Sequence, residues 1–242
     1  MRYYLFLFLI MNFGFSNPGF AKDVLHINTG DAAPLHKSDR SGFIDRILIE
    51  AFKRVNVEII INKLPAERSL HNANAGIDDG DSDRIAGLEK IYPNLIAVPE
   101  KIMDWEFVAF SKQKDVQLLN WEGLKGFGVT YITGWKIFEK NSRNSATVVS
   151  VDNIGQLFSL IENDRADIAL YEKWQGKAYV KQTNLSDVSV VGSVLAHKEK
   201  FLYLHKKHKK LIPLLAQALV SMKSDGTYQS IYQTTLQSML RN

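Results

Sequence analysis

Residues 42–64 read GFIDRILIEAFKRVNVEIIINKL, and this stretch fixes the fold class. Phe43, Ile44, Ile47, Leu48, Ala51, Phe52 and Val55 recur at the spacing of one helix face, which predicts an amphipathic helix over 43–55. The chain then enters 57–64, a nearly continuous β-branched run of the kind that forms a buried parallel strand. Pro65 suits the first turn of a second helix, with Leu70 and Ala73 turned inward and Gly76 as its C-terminal stop.

The same alternation extends in both directions. Upstream, 24–28 is a short apolar strand that ends in the polar loop Thr29-Gly30-Asp31. Downstream, strands are expected at 95–98 and 106–111, then a helical lead-in at 120–126 to a strand at 127–131. Thr133-Gly134 precedes a helix that starts at Trp135. It is followed by a strand at 147–151, a helix at 153–163 and a strand at 166–171 that carries Asp167 near its entry and Glu172 just past its end. A helix at 173–182, strands at 188–191 and 201–205, and helices at 211–222 and 227–240 complete the pattern, the last two separated by Asp225-Gly226. Strands alternating with helices imply α/β layers with mostly parallel sheets, whose ligands bind beyond the carboxyl ends of the strands.

The first residues bear on compartment. Arg2, the apolar run 3–15, the break at Asn17-Pro18-Gly19 and the small residues at Gly19 and Ala21 have the pattern of a secretory leader cleaved after Ala21. The apolar run is shorter than the ~20 residues that a spanning helix needs. Without Arg2 the chain keeps 29 of its 30 basic residues against 26 acidic ones, too mild a bias to argue for nucleic acid or an anionic membrane. There is no cysteine, which excludes disulfides, thiolate chemistry and a lipid-acceptor cysteine. An exported protein without that anchor is expected in a periplasm.

Four passages carry a family resemblance: Gly42-Phe43-Ile44-Asp45, residues 121–129, residues 167–172 (DIALYE) and residues 222–228 (MKSDGTY). In this order and at this spacing the chain resembles the type II periplasmic solute-binding proteins, in particular the polar amino acid-binding family of ABC importers, as a divergent member. The resemblance implies a two-lobed α/β fold, each lobe a mixed, mostly parallel sheet flanked by helices, with two crossing strands as hinge. Lobe one would comprise 22–110 plus 196–242 and lobe two 111–195, with hinges near 109–112 and 193–198. It further implies a monomer that traps an amino acid-like or carboxylate-bearing solute in the interlobe cleft and hands it to an ABC permease. A membrane signalling receptor is the alternative partner, and a dehydratase-like enzyme on the same fold is a further alternative.

The site residues follow from position. Arg84 stands where the family holds its carboxylate-binding arginine, although the preceding Asp81-Ser82-Asp83 departs from the family's Thr-Pro-Glu. Arg68, near the amino end of the second helix, competes for that role, since either guanidinium offers a planar fork to a carboxylate. A surface arginine paired with Asp79 or Asp83 is the plain alternative for Arg84. Thr133 and Gly134 precede a helix, whose free amides can receive an anion. Glu172 stands where the family holds a carboxylate for an amine, while Asp167 fixes a turn. Asp31 and His36 lie in the loop after the first strand, and Trp105, Tyr131, Trp135 and Trp174 fall near strand ends, where an aromatic serves as floor or lid or simply packs in the core.

Two lookalikes are set aside. Residues 79–83 (DGDSD) imitate a calcium loop, but Arg84 and Lys90 stand where glycine and glutamate are required. Residues 205–210 (HKKHKK) read as a solvated basic loop. No metal, cofactor or catalytic motif is called for.

Overall fold

The computed structural model describes residues 24–30 and 32–240, so the leader and Asp31 lie outside the described residues. The first half is built from β1 (Val24–Thr29), α1 (Phe43–Arg54), β2 (Glu58–Lys63), α2 (Ala66–Ala75), β3 (Gly80–Arg84) and β4 (Leu95–Ala97). β5 (Met103–Ser111) leads to β6 (Gly128–Ile132), α3 (Lys136–Asn141), β7 (Thr147–Val151), α4 (Ile154–Glu162), β8 (Ile168–Glu172) and α5 (Lys173–Gln182). β9 (Ser189–His205) returns to the first half, where α6 (Leu211–Ser224) and α7 (Thr227–Thr235) follow. No helix among the described residues is long and apolar enough to cross a membrane.

The strands lie in the order β2-β1-β3-β9-β5-β8-β6-β7, with β4 also paired to β9. β1–β2, β1–β3, β6–β7 and β6–β8 are parallel, and the pairs made by β5 and β9 are antiparallel. β5 and β9 pair from Met103↔Lys200 to Ser111↔Ser189, with a register shift between Phe107 and Ala109. Gly192 lies in this irregular stretch at φ +67. This antiparallel ribbon joins the two halves.

The periodicity of residues 43–52 does what the sequence predicts. Phe43, Ile44, Ile47, Leu48 and Phe52 are fully buried, and α1 packs in one core with Leu215 and Leu219 of α6. A second core gathers Val108 and Phe110 of β5, Leu157, Phe158 and Ile161 of α4, and Ala169 of β8. β2 is parallel as expected, but its residues are only half-buried or exposed, because it is the sheet's edge strand. Gly76 ends α2 in the left-handed region at φ +74, which glycine enters without a Cβ penalty.

Three elements differ from the sequence reading. β3 is a strand formed by the acidic run 80–84, with its first four residues buried. Gly80 is required there, since a Cβ would sit 2.5 Å from the Tyr203 carbonyl oxygen. The expected strands at 188–191 and 201–205 are ends of the single 17-residue strand β9. The last helix ends at Thr235 and gives way to a 3₁₀ turn over Gln237–Leu240.

Candidate functional site

β3 lies between β1 and β9, so its aspartates meet groups from distant parts of the chain. Asp79, just before the strand, faces Lys207 Nζ and His208 Nε2, each at 2.7 Å, and accepts the His26 amide at 2.8 Å. Burial pushes its carboxyl up, but the bonds from Lys207, His26 and His208 outweigh this and hold it below the usual carboxylate value. Asp81, fully buried, accepts Ser69 Oγ at 2.5 Å and Arg84 Nε at 2.7 Å. Asp83 adopts φ +61, and Lys200 Nζ lies 3.9 Å from its Oδ1 while donating to its carbonyl at 2.7 Å. The run that imitates a calcium loop therefore turns its three carboxylates toward three different sets of cationic groups.

Arg84 is half-buried and held as a fork. Nε donates to Asp81 Oδ1, and Nη2 donates to Asp81 Oδ2 at 3.1 Å and to the Ala66 carbonyl at 3.4 Å. Among the described residues nothing accepts from Nη1. Asp81 thus orients the guanidinium and leaves one edge able to grip an anion. The surface pairing with Asp79 or Asp83 is not what is found. Arg68 is exposed on α2 and makes no hydrogen bond or ion pair among the described residues.

His36 proves more than a loop histidine. It is buried, its Nδ1 lies 2.5 Å from Asp45 Oδ1, and its Nε2 lies 3.3 Å from Ser82 Oγ. Asp45 Oδ2 accepts the amides of Lys37 and Gly42, and Ser82 donates to the Asn28 carbonyl at 3.2 Å. This chain clasps the loop after β1 to β3. The order Ser-His-Asp has the residue types of a hydrolytic triad, but a serine this buried, with its proton on a backbone carbonyl, is not presented as a nucleophile. A cavity of about 430 Å³ beside it is lined by Thr29, His36, Arg40 and Lys63 among others.

On the other side the wall is aromatic. Trp135 stacks on Trp105 with centroids 5.8 Å apart and on Phe138 at 5.4 Å, and its ring lies 5.0 Å from that of Tyr171. Lys200 Nζ lies 3.6 Å from the centroid of the Trp105 ring, a cation–π contact. A chain of contacts thus runs from Asp83 through Lys200, Trp105 and Trp135 to Tyr171, the neighbour of Glu172. Tyr131 is buried in β6 near Phe138, and Trp174 is buried against Tyr232 of α7. Glu172 is fully buried at the end of β8, and its Oε2 caps α5 by accepting the Gln175 amide at 2.8 Å. Asp167 accepts the Gly128 amide at 2.7 Å and so fixes the turn into β6 and β8.

The anion site expected from helix-start amides is corrected at Thr133. Its amide donates to the Val151 carbonyl at 2.8 Å, and α3 has only six residues. Gly134, at φ +90, provides the sharp turn that brings Trp135 against Trp105. Lys200 is the residue of this contact chain that sequence reasoning did not single out. The only signal was a lysine directly ahead of the apolar run 201–204, which is ordinary at a strand edge.

Solved structures with a similar fold cover about nine-tenths of the chain. The L-cystine solute receptor of Neisseria gonorrhoeae, in its unliganded open conformation, matches with a TM-score of 0.70 at 20% identity over 89% of this chain and 94% of its own. The chain has the two-lobed fold of the type II periplasmic binding proteins. Substrate binding domain 2 of GlnP from Lactococcus lactis, in the open conformation, gives a TM-score of 0.69 at 16% identity, covering 90% of this chain and 97% of that one. An amino acid ABC transporter substrate-binding protein of Streptococcus pneumoniae bound to L-arginine gives 0.68 at 14%, with the same coverages. No family model matches the chain. An uncharacterized protein of Shewanella oneidensis is 22% identical over 210 residues, covering 77% of this chain and 73% of its own. The periplasmic binding protein fold explains why two long antiparallel strands join the halves.

Proposed function

We propose that this protein is a periplasmic solute-binding protein that captures a small amino acid-like or carboxylate-bearing solute between two lobes, as a monomer, and delivers it to an ABC permease. The lobes are 22–110 plus 196–242 and 111–195, and closure bends the β5–β9 ribbon. The observation that carries this reading is the Arg84 fork, held by the buried Asp81, with nothing among the described residues accepting from its Nη1 edge. The solute's carboxylate meets that edge, Trp105 and Trp135 supply an apolar wall, and Glu172, buried at the end of β8 with Oε2 on the Gln175 amide, is the carboxylate proposed to attract its amine. The reading is supported by structural neighbours that are themselves amino acid-binding proteins.

A melting-temperature screen of the protein against amino acids, polyamines and organic acids tests it. A carboxylate hit should bind Arg84→Ala about tenfold to a hundredfold more weakly, the loss of one charge-assisted bond. Failure of every small solute to raise the melting temperature would sink the binding claim, and unchanged affinity in Arg84→Ala would remove the arginine from it. Turnover of a small carboxylic acid by the wild type, lost in Glu172→Gln, would instead make it an enzyme.

A further inference from the structure

α5 carries Lys173, Lys177 and Lys181, spaced four residues apart along one side of a ten-residue helix. Like charges at this spacing repel and destabilise a helix unless anionic groups face them. Lys173 has one such group, the Glu106 carboxylate of β5. Lys177 makes no hydrogen bond or ion pair with any described residue although it is only partly exposed. Burial, reinforced by the charge of Lys173, pushes its ammonium below the usual lysine value.

Beside this stripe lies a groove of about 620 Å³, away from the Arg84 fork. Phe110, Leu185, Val188 and Met239 give it an apolar wall, and Lys177 and Lys181 border it. No carboxylate is among its lining residues. The volume lies in the range of about 300–1,000 Å³ typical of small-molecule pockets. An apolar wall next to a partly desolvated cation is the chemical complement of an amphiphile with an anionic head.

We propose that this groove binds a single-chain amphiphilic carboxylate, its acyl chain against Phe110, Leu185, Val188 and Met239 and its head at Lys177. The polar solute expected at Arg84 lacks the apolar tail that this wall fits. The two sites are therefore separate.

The test uses the full chain after export and sodium decanoate below its micelle concentration. Calorimetry should show saturable one-to-one binding, with decanol and acetate each at least tenfold weaker. Lys177→Met should weaken decanoate about tenfold or more while Lys177→Arg retains most of the affinity, the loss expected for one charge-assisted bond. Acetylation footprinting by mass spectrometry should show Lys177 protected by decanoate and the exposed Lys140 unprotected. Leu185→Glu, which sets a carboxylate in the apolar wall, should abolish binding with the fold intact by circular dichroism. Equal affinity of Lys177→Met, decanol binding as tight as decanoate, or binding only to phosphatidylglycerol vesicles would overturn the proposal. So would loss of decanoate binding in Arg84→Ala, since the carboxylate would then sit in the solute cleft. Failure of the amino acid screen leaves this site standing, so the two proposals fail separately.

Discussion

Two arginines among the described residues each pair with an aspartate, and they are used in opposite ways. Arg54, at the end of α1, donates from Nε to Glu50, from Nη1 to Ser221 and Asp225, and from Nη2 to Thr227. Its donors bind α1 to the junction of α6 and α7. Arg84 gives Nε and Nη2 to its surroundings and keeps Nη1 clear of every described residue. Asp225 is 44% exposed, whereas the Asp81 side chain is fully buried, so water screens one pair and not the other. A guanidinium fixed on all sides is a structural tie. One fixed on a single edge keeps a donor for a ligand, which is the role proposed for Arg84.

Removing one member of each pair is the way to break this contrast. The largest effect is expected at Asp81→Ala, which leaves Ser69 and Arg84 without their buried acceptor. Urea unfolding should show a loss of about 3 kcal/mol, the lower end for breaking a buried pair because Arg84 keeps some access to water. A loss below about 1 kcal/mol would mean that the site relaxes and that Asp81 is no anchor. Arg54→Ala should cost less, about 1–2 kcal/mol by the same measurement, and should leave solute affinity unchanged. A solute affinity that falls with Arg54→Ala would erase the distinction between the two arginines.

The smallest effect concerns pH. Hydrogen bonds from Arg54 and Thr227 depress the Asp225 carboxyl from 3.8 to about 2. A depressed folded-state value means that the ionised pair stabilises above the unfolded value and that this contribution fades as pH falls from about 4 to about 2. Melting curves of wild type and Asp225→Asn should therefore differ at neutral pH and converge in that acid window. Curves that stay parallel down to pH 2 would show that the exposed pair contributes nothing through its charge.

The helices and most of the strands were legible because their signal is local. Residues 43–52 announce α1 by spacing alone, and 168–171 announce β8 by apolar continuity. β3 was not legible, since glycine and aspartate are depleted in strands and GDSDR has no alternation to read. The partners of its aspartates include Ser69 and Lys200, the latter 117 residues away, and tertiary pairing overrides propensity there. β9 broke in two for the related reason that His197 to Lys200 are polar where the ribbon lies between the cores. Those residues pair with Met103 to Glu106 of β5. Arg84 could be named from its place in the chain, but which of its nitrogens stays clear depends on Asp81 and Ala66.

The β5–β9 ribbon also has a mechanical meaning. Two strands bonded to each other along their length form a torsion bar, stiff to stretching and soft to twist. The register shift between Phe107 and Ala109, with Gly192 opposite it at φ +67, marks the section where that bar is thinnest in hydrogen bonds. In the proposed closure, rotation of one half against the other would concentrate there, and Trp105 lies to one side of the thin section as Lys112 lies to the other. Gly192 is also fixed sterically, since a Cβ there would sit 2.3 Å from the Leu118 carbonyl oxygen, so any other residue at 192 would have to displace the segment that runs beside the bar.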